Sequence, residues 1–138
     1  VAFEATLSTN ILNWLLRNIA MPAPPREIWI GLHSGSTPTN GNEVTASVGG
    51  RLMVDPSFFA NAPTPVPGVN ATEVVNTKAI SFGTATVALN VFTFTLWTSS
   101  TGSTPAELLM SGDIIPDVAL RVGDPALFSV GDFIVRAG

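Results

Sequence analysis

Cysteine is absent from this chain, and charge is scarce: 12% of the residues are Asp, Glu, Lys or Arg, against 46% hydrophobic residues. The first absence removes disulfide frameworks, thiolate nucleophiles and cysteine-based metal sites together, leaving packing and association to hold the fold. The second is about half the charged fraction of an ordinary soluble domain. It implies that part of the surface is covered, most simply by further copies of the same chain. No apolar run approaches the roughly 18–20 residues of a membrane span, so lipid is not the expected covering. No basic region precedes an apolar stretch at the N-terminus, so no secretory signal is expected, and the Asn70-Ala71-Thr72 sequon is read as coincidence. The six basic residues, Arg17, Arg26, Arg51, Lys78, Arg121 and Arg136, are scattered over a chain of net charge −4. Nucleic-acid binding needs clustered cations, so that class is excluded as well.

The length of 138 residues suits one domain with a real core. Within it, residues 6–19 are expected to form a helix capped by Thr6 or Ser8, uninterrupted by Gly or Pro. At about 100° per residue, Leu7, Ile11, Leu12, Trp14, Leu15, Leu16 and Ile19 sweep out an arc of roughly 200°. A helix lying on one sheet needs about half of that. Either it sinks into a groove of its own domain, or one edge packs on the domain and the other on a neighbouring subunit. Leu7, Ile11, Trp14 and Leu15 are the candidate oligomer interface, and the low charge favours this second arrangement, with a homotrimer as the expected assembly.

Residues 20–26 hold three prolines and form a stiff connector. From residue 27 to 138 the pattern is β-like. Ile28, Ile30 and Leu32 alternate with Trp29, Gly31 and His33, and Phe92, Phe94 and Leu96 alternate with Val91, Thr93, Thr95 and Trp97. Further strand candidates are residues 50–54, 57–60, 78–82, 107–111, 118–122, 126–130 and 133–136. Two segments lack any such pattern: residues 34–49, rich in Ser, Thr, Gly and Asn, and residues 61–72, rich in proline. Both are expected to be long exposed loops that touch a partner through Thr37, Asn40, Asn42, Pro63, Pro65 and Pro67. Short strands with one helix at an end predict a single, mainly β domain: an antiparallel β-sandwich, jelly-roll-like, with one N-terminal α-helix; an up-and-down barrel is the alternative, less suited to uneven strands and two loops of more than ten residues.

Chemistry finds little purchase in this pattern. The sole histidine, His33, closes the first strand, and the adjacent Ser34 points to the opposite face. Gly31-Leu32-His33-Ser34-Gly35 has the outline of a nucleophile elbow with histidine in the nucleophile's place, and there is no second histidine to complete a triad. His33 is therefore expected at the rim, bonded to a loop carbonyl. Asp113, Asp117, Asp124 and Asp132 lack the alternating spacing of a calcium loop; Gly123-Asp124 and Gly131-Asp132 are the pattern of turns. No catalytic residue, metal or cofactor is expected. Trp29 and Trp97, opposite the aliphatic rows of their strands, are expected to be covered, although exposed indoles could stack on sugars.

The order helix, strand, polar loop carries a resemblance. Ile28, Ile30, Gly31, Leu32, His33, Ser34 and Gly35, with Glu43-Val44 closing the loop, resemble the opening of a group of small β-rich virion proteins of tailed bacteriophages. Val122-Gly123-Asp124 and Leu127-Phe128-Ser129-Val130-Gly131 resemble that group's closing hairpins. The resemblance implies a non-enzymatic virion component of one of two kinds. One is a capsid cement or decoration protein on the outer shell, with the major capsid protein as partner. The other is a tail-fibre or tailspike-type domain, with host surface glycan as partner. A shaft of coiled coil, β-helix or collagen-like repeat is not seen in the chain, and this favours cement.

Overall fold

Alternation of apolar with hydroxyl-bearing residues over Leu89–Trp97 gives the chain its central strand, and the other elements are arranged around it. The computed structural model describes residues 5–24, 27–59, 64–68, 72–104 and 107–137. Helix α1 (Ala5–Arg17) is followed by β1 (Ile28–His33), β2 (Leu52–Val54), β3 (Thr64–Pro65), β4 (Thr72–Val75), β5 (Ile80–Thr84), β6 (Leu89–Trp97), β7 (Leu108–Leu120), β8 (Pro125–Phe128) and β9 (Phe133–Ala137). Seven strands form one antiparallel sheet in the order β2-β1-β6-β7-β9-β4-β3, and β5 pairs with β8 in a second, antiparallel sheet.

The fold is thus mainly β and antiparallel with one α-helix, as expected from the sequence, and its two layers are unequal. The inner face of the large sheet presents Ile30, Leu32, Phe94, Leu96, Ile114 and Phe133, which pack with Ile80, Ala126 and Phe128 of the small sheet. Aromatic rings bridge the layers. Phe94 lies 4.7 Å from Phe133, and Phe133 meets Phe128 edge-on at 5.1 Å. Two turns of the same design close the second half. In each, a glycine with positive φ (Gly123 at 88°, Gly131 at 86°) precedes an aspartate. That carboxylate accepts the backbone N–H three residues back: Arg121 to Asp124 at 2.8 Å, Ser129 to Asp132 at 3.0 Å. The turn reading of these Gly-Asp pairs holds.

Several boundaries differ from expectation for identifiable reasons. Helix α1 stops at Arg17 because Asn18 adopts a left-handed conformation, φ 53°; Thr6 and Ser8 lie inside the helix, not at its cap. Most of residues 107–111 and 118–122 belongs to one long strand, β7. At the break between them, residues 114–117 stand opposite Phe92 alone, and β7 there turns to β9, pairing Ile114 with Phe133. Residues 34–49 are not a free loop. They form two short 3₁₀ turns, Asn40–Asn42 and Thr45–Val48, and bury Thr45 and Val48. Residues 57–60 yield a 3₁₀ turn at Pro56–Phe58 and an isolated bridge, Phe59 to Asn76. Within the proline-rich segment, β3 is an edge strand on β4, the one sheet position that tolerates Pro65.

Candidate functional site

The outer face of the large sheet divides into a sealed half and an open half. The sealed half is built on β1 and β6, where Gly31 faces Thr95, His33 faces Thr93 and Trp29 faces Trp97. Residues 39–51 fold back over these strands. Val44 N–H donates to the Leu32 carbonyl at 2.8 Å and Ser34 N–H to the Asn42 carbonyl at 3.0 Å. Gly31 leaves the room this requires: a Cβ there would meet the Glu43 carboxylate and the Thr95 hydroxyl, each at 2.9 Å.

His33 is the centre of this arrangement and is 1% exposed, not at the rim. Two side chains hold its ring nitrogens, with the loop backbone at Thr39 also bonding to it: Asn42 Oδ1 lies 2.8 Å from Nδ1 and Thr95 Oγ1 2.9 Å from Nε2. Asn42 Oδ1 also receives the Thr39 N–H, while Asn42 Nδ2 donates to the Thr37 carbonyl, which fixes the amide's orientation. Oδ1 only accepts, so Nδ1 of His33 carries the proton and Nε2 accepts from Thr95. Thr95 in turn receives the Trp97 indole N–H at 2.6 Å. Burial holds the His33 pKa below its ordinary 6.5, against the opposing effects of Asn42 and Glu43.

Beside it, Arg51 grips Glu43 with a two-pronged fork, Nε to Oε2 at 2.9 Å and Nη2 to Oε1 at 2.8 Å. Its remaining nitrogen donates to the carbonyls of Ser99 and Gly102, and its guanidinium stacks 4.0 Å from the Trp97 ring. Burial pushes the Glu43 carboxyl up, but the Arg51 and Thr45 hydrogen bonds outweigh it and leave the pKa below 4.5. Every buried side-chain polar atom among the described residues has a partner. A cluster satisfied this completely clamps loops onto a sheet and leaves no free base or nucleophile.

The open half lies on β7 and β9. Beyond the loop Ser36–Pro38, the side chains of Ser111, Asp113, Ile134 and Arg136 form the floor of a polar cleft of about 450 Å³. Arg136 is held by Glu73 on the far side, Nε to Oε2 at 3.0 Å.

A third region stands apart from the sheet. No residue of α1 is buried. A groove of about 1030 Å³ runs between its Thr6–Asn10 edge, the connector Met21–Pro24 and the sheet end at Thr98, Leu108 and Leu109. Of the twelve large apolar residues exposed among the described ones, six fall within residues 12–21. Leu12, Trp14, Leu15 and Leu16 are 55%, 55%, 65% and 72% exposed, while Leu7 and Ile11 are half-buried. The sequence-derived interface residues therefore split: Leu7 and Ile11 lean toward the body, and Trp14 and Leu15 are free together with Leu12 and Leu16.

The loop residues divide too. Thr37, Asn40, Pro65 and Pro67 are exposed, and Asn40 is tied to the Ser103 carbonyl at 3.2 Å. Asn42 faces inward and orients His33. Pro63 lies outside the described residues. Trp97 is buried beneath Arg51 and Trp29 is half-buried, its indole N–H 3.2 Å from Glu27. Arg51, Thr95 and the fully buried Asn76 carry no signal of these roles in the sequence. Asn76 donates to the Lys78 and Ser129 carbonyls and accepts from Phe133 N–H. No local pattern marks these three, because their partners lie up to 57 or 62 residues away.

Among the described residues no three His, Asp or Glu side chains converge to hold a metal, and no helix is long and apolar enough to cross a membrane. Among curated proteins none matches the chain. A family model described as "Podophage GP4 fiber I protein gp80" matches residues 2–136. That match takes in the helix, both sheets and the clamped loops alike, so the chain belongs to the podophage GP4 fiber I protein gp80 family and is a structural protein of a phage virion.

Proposed function

We propose that this chain is a fibre-type subunit that joins copies of itself through the α1 arm and works without catalysis. The observation carrying this reading is the concentration of exposed apolar side chains on one arm. A 13-residue helix is too short to be stable in water without packing, and this one has little of its own body against it. Leu12, Leu15 and Leu16 stand at i, i+3 and i+4, the spacing of a helix-bundle seam. The occupant proposed for that seam is the same arm of other copies, in a closed trimer. Across residues 5–24 the only charge is Arg17, placed in the last helical turn, so like arms meet with little repulsion. The fibre reading takes its support from the word fibre in the family's description, and a shaft need not be carried by the subunit that attaches to it. The non-catalytic part rests on His33 being enclosed with both ring nitrogens engaged.

Two measurements test this. Light scattering during size-exclusion chromatography should give a trimer mass that falls to a monomer in Leu12→Asp/Leu16→Asp; a concentration-independent monomer of the unaltered chain refutes self-assembly. Gold-labelled antibody on intact particles should mark a fibre; labelling over the whole head would assign the subunit to the shell as cement.

A further inference from the structure

The polar cleft on β7 and β9 differs from the sealed half of the same face in one respect. There, polar side chains are spent on one another; here, they point at solvent with bonds to give. Ser36, Thr37, Ser111 and Asp113 make no side-chain hydrogen bond to the described residues, and Arg136 uses only Nε, on Glu73. The strand register fixes the spacing. Asp113 sits opposite Thr93 on one side and Ile134 on the other, and Ser111 lies two residues along on the same face. Acceptor, donor and hydroxyl groups thus stand at neighbouring strand positions of about 5 Å spacing, with Ile134 and Pro38 as apolar contacts. The floor is also rigid, since Thr93 at its edge is tied to the Gly35 carbonyl at 2.8 Å.

From this we infer that the cleft is a binding site for a neutral sugar ring. A pyranose presents adjacent hydroxyls that can bridge a carboxylate and a guanidinium, and an apolar C–H face that can rest on Ile134 and Pro38. The volume of about 450 Å³ falls in the range of small-molecule sites. The charges select against acidic sugars: Asp113 and Glu73 outnumber Arg136, so a carboxylate or phosphate would meet net repulsion. No aromatic side chain among the described residues lines the cleft, so an affinity on the order of 1 mM is expected of one site. Several sites on one assembly would multiply this through avidity.

The inference does not depend on the fibre reading, because it concerns one chain and a free sugar. Saturation-transfer NMR on the full chain, with glucose, galactose, mannose, rhamnose and N-acetylglucosamine as neutral probes and N-acetylneuraminic acid as the acidic one, tests it. At least one neutral sugar should give a signal, and the acidic sugar none. Ser111→Trp, which fills the cleft floor, should abolish the signal, and Asp113→Ala should weaken binding about tenfold or more. Ser81→Trp, on the exposed face of the small sheet, should leave it intact. Circular dichroism and thermal melting establish that the variants fold, and Asp113→Ala, an exposed truncation, serves if Ser111→Trp does not. Silence from every neutral sugar, a signal from the acidic one alone, or a signal that survives both cleft variants in folded protein would overturn the proposal.

Discussion

His33 is a histidine whose environment has been spent on structure. Replacing it with Ala would leave the Thr95 hydroxyl and the Asn42 amide each short of a buried partner and open a cavity. The expected loss is about 2–4 kcal/mol, read from urea denaturation at pH 7.5. The pH dependence follows in sign. Because burial holds the folded pKa below 6.5, the unfolded chain binds more protons than the folded one between that pKa and 6.5. Stability is complete above pH 6.5 and falls as pH drops below it. Glu43 acts later in the same direction: its folded pKa is below 4.5, so its contribution is present above that value and lost as pH falls through the folded one. The urea midpoint should therefore be lower at pH 5.5 than at 7.5, and the difference should shrink in His33→Gln. An unchanged difference in that variant would place the titrating group elsewhere. Asn76 makes a second residue-scale case. It ties the Lys78 and Ser129 carbonyls and the Phe133 N–H together, so Asn76→Ala should cost about 2–4 kcal/mol, seen as a lowered midpoint with an unchanged slope.

Helix α1 and the sheet respond to different rules, and the separation is testable. Leu12 and Leu16 are more than half exposed, so Leu12→Asp/Leu16→Asp should leave the denaturation midpoint of the β body within about 0.5 kcal/mol while removing assembly. The helix was legible in the sequence because seven apolar residues at helical spacing leave no other periodicity. Its end was not, since a left-handed Asn18 looks no different in sequence from one more helical residue. Strand β6 was legible from its alternation. Strand β7 looks like two pieces in the sequence because Gly112 and Pro116 lie within it, and its continuity depends on a change of partner from β6 to β9 that local sequence does not encode. The segment 34–49 looks exposed in the sequence because polar composition alone cannot tell a solvated loop from one whose hydroxyls and amides are paired across the fold. The same limit hid Arg51 and Thr95 and put His33 at the rim.

For the whole molecule, the scarcity of charge translates into how the assembly should respond to its solvent. With one cation on each arm, self-association driven by apolar contact should not weaken between 0.1 and 1 M NaCl, whereas an assembly held by ion pairs would dissociate. Light scattering across that range decides it, and loss of the trimer at high salt would contradict an apolar seam. The clamped sheet face, the open cleft and the arm are three surfaces that meet at a few shared residues: Thr37 and Thr93 belong to both clamp and cleft, whereas Leu12 and Leu16 of the arm and Asp113 of the cleft belong to one surface each and can be altered separately.

The connector after α1 has a mechanical consequence. An arm fastened to a larger structure passes any pull into the body at Ile28, the first residue of β1. That strand is flanked on both sides, by β2 and by β6, with antiparallel pairing to each. Drawn along its length, it would have to slide against both neighbours at once, breaking its hydrogen bonds together and not one after another. The sealed polar cluster adds resistance at its far end, where His33 and Leu32 are tied to residues 42–45. A particle tugged by its surroundings would thus load this domain in shear along one of its most firmly held strands, and the arm would be expected to part from its neighbours before the body came undone.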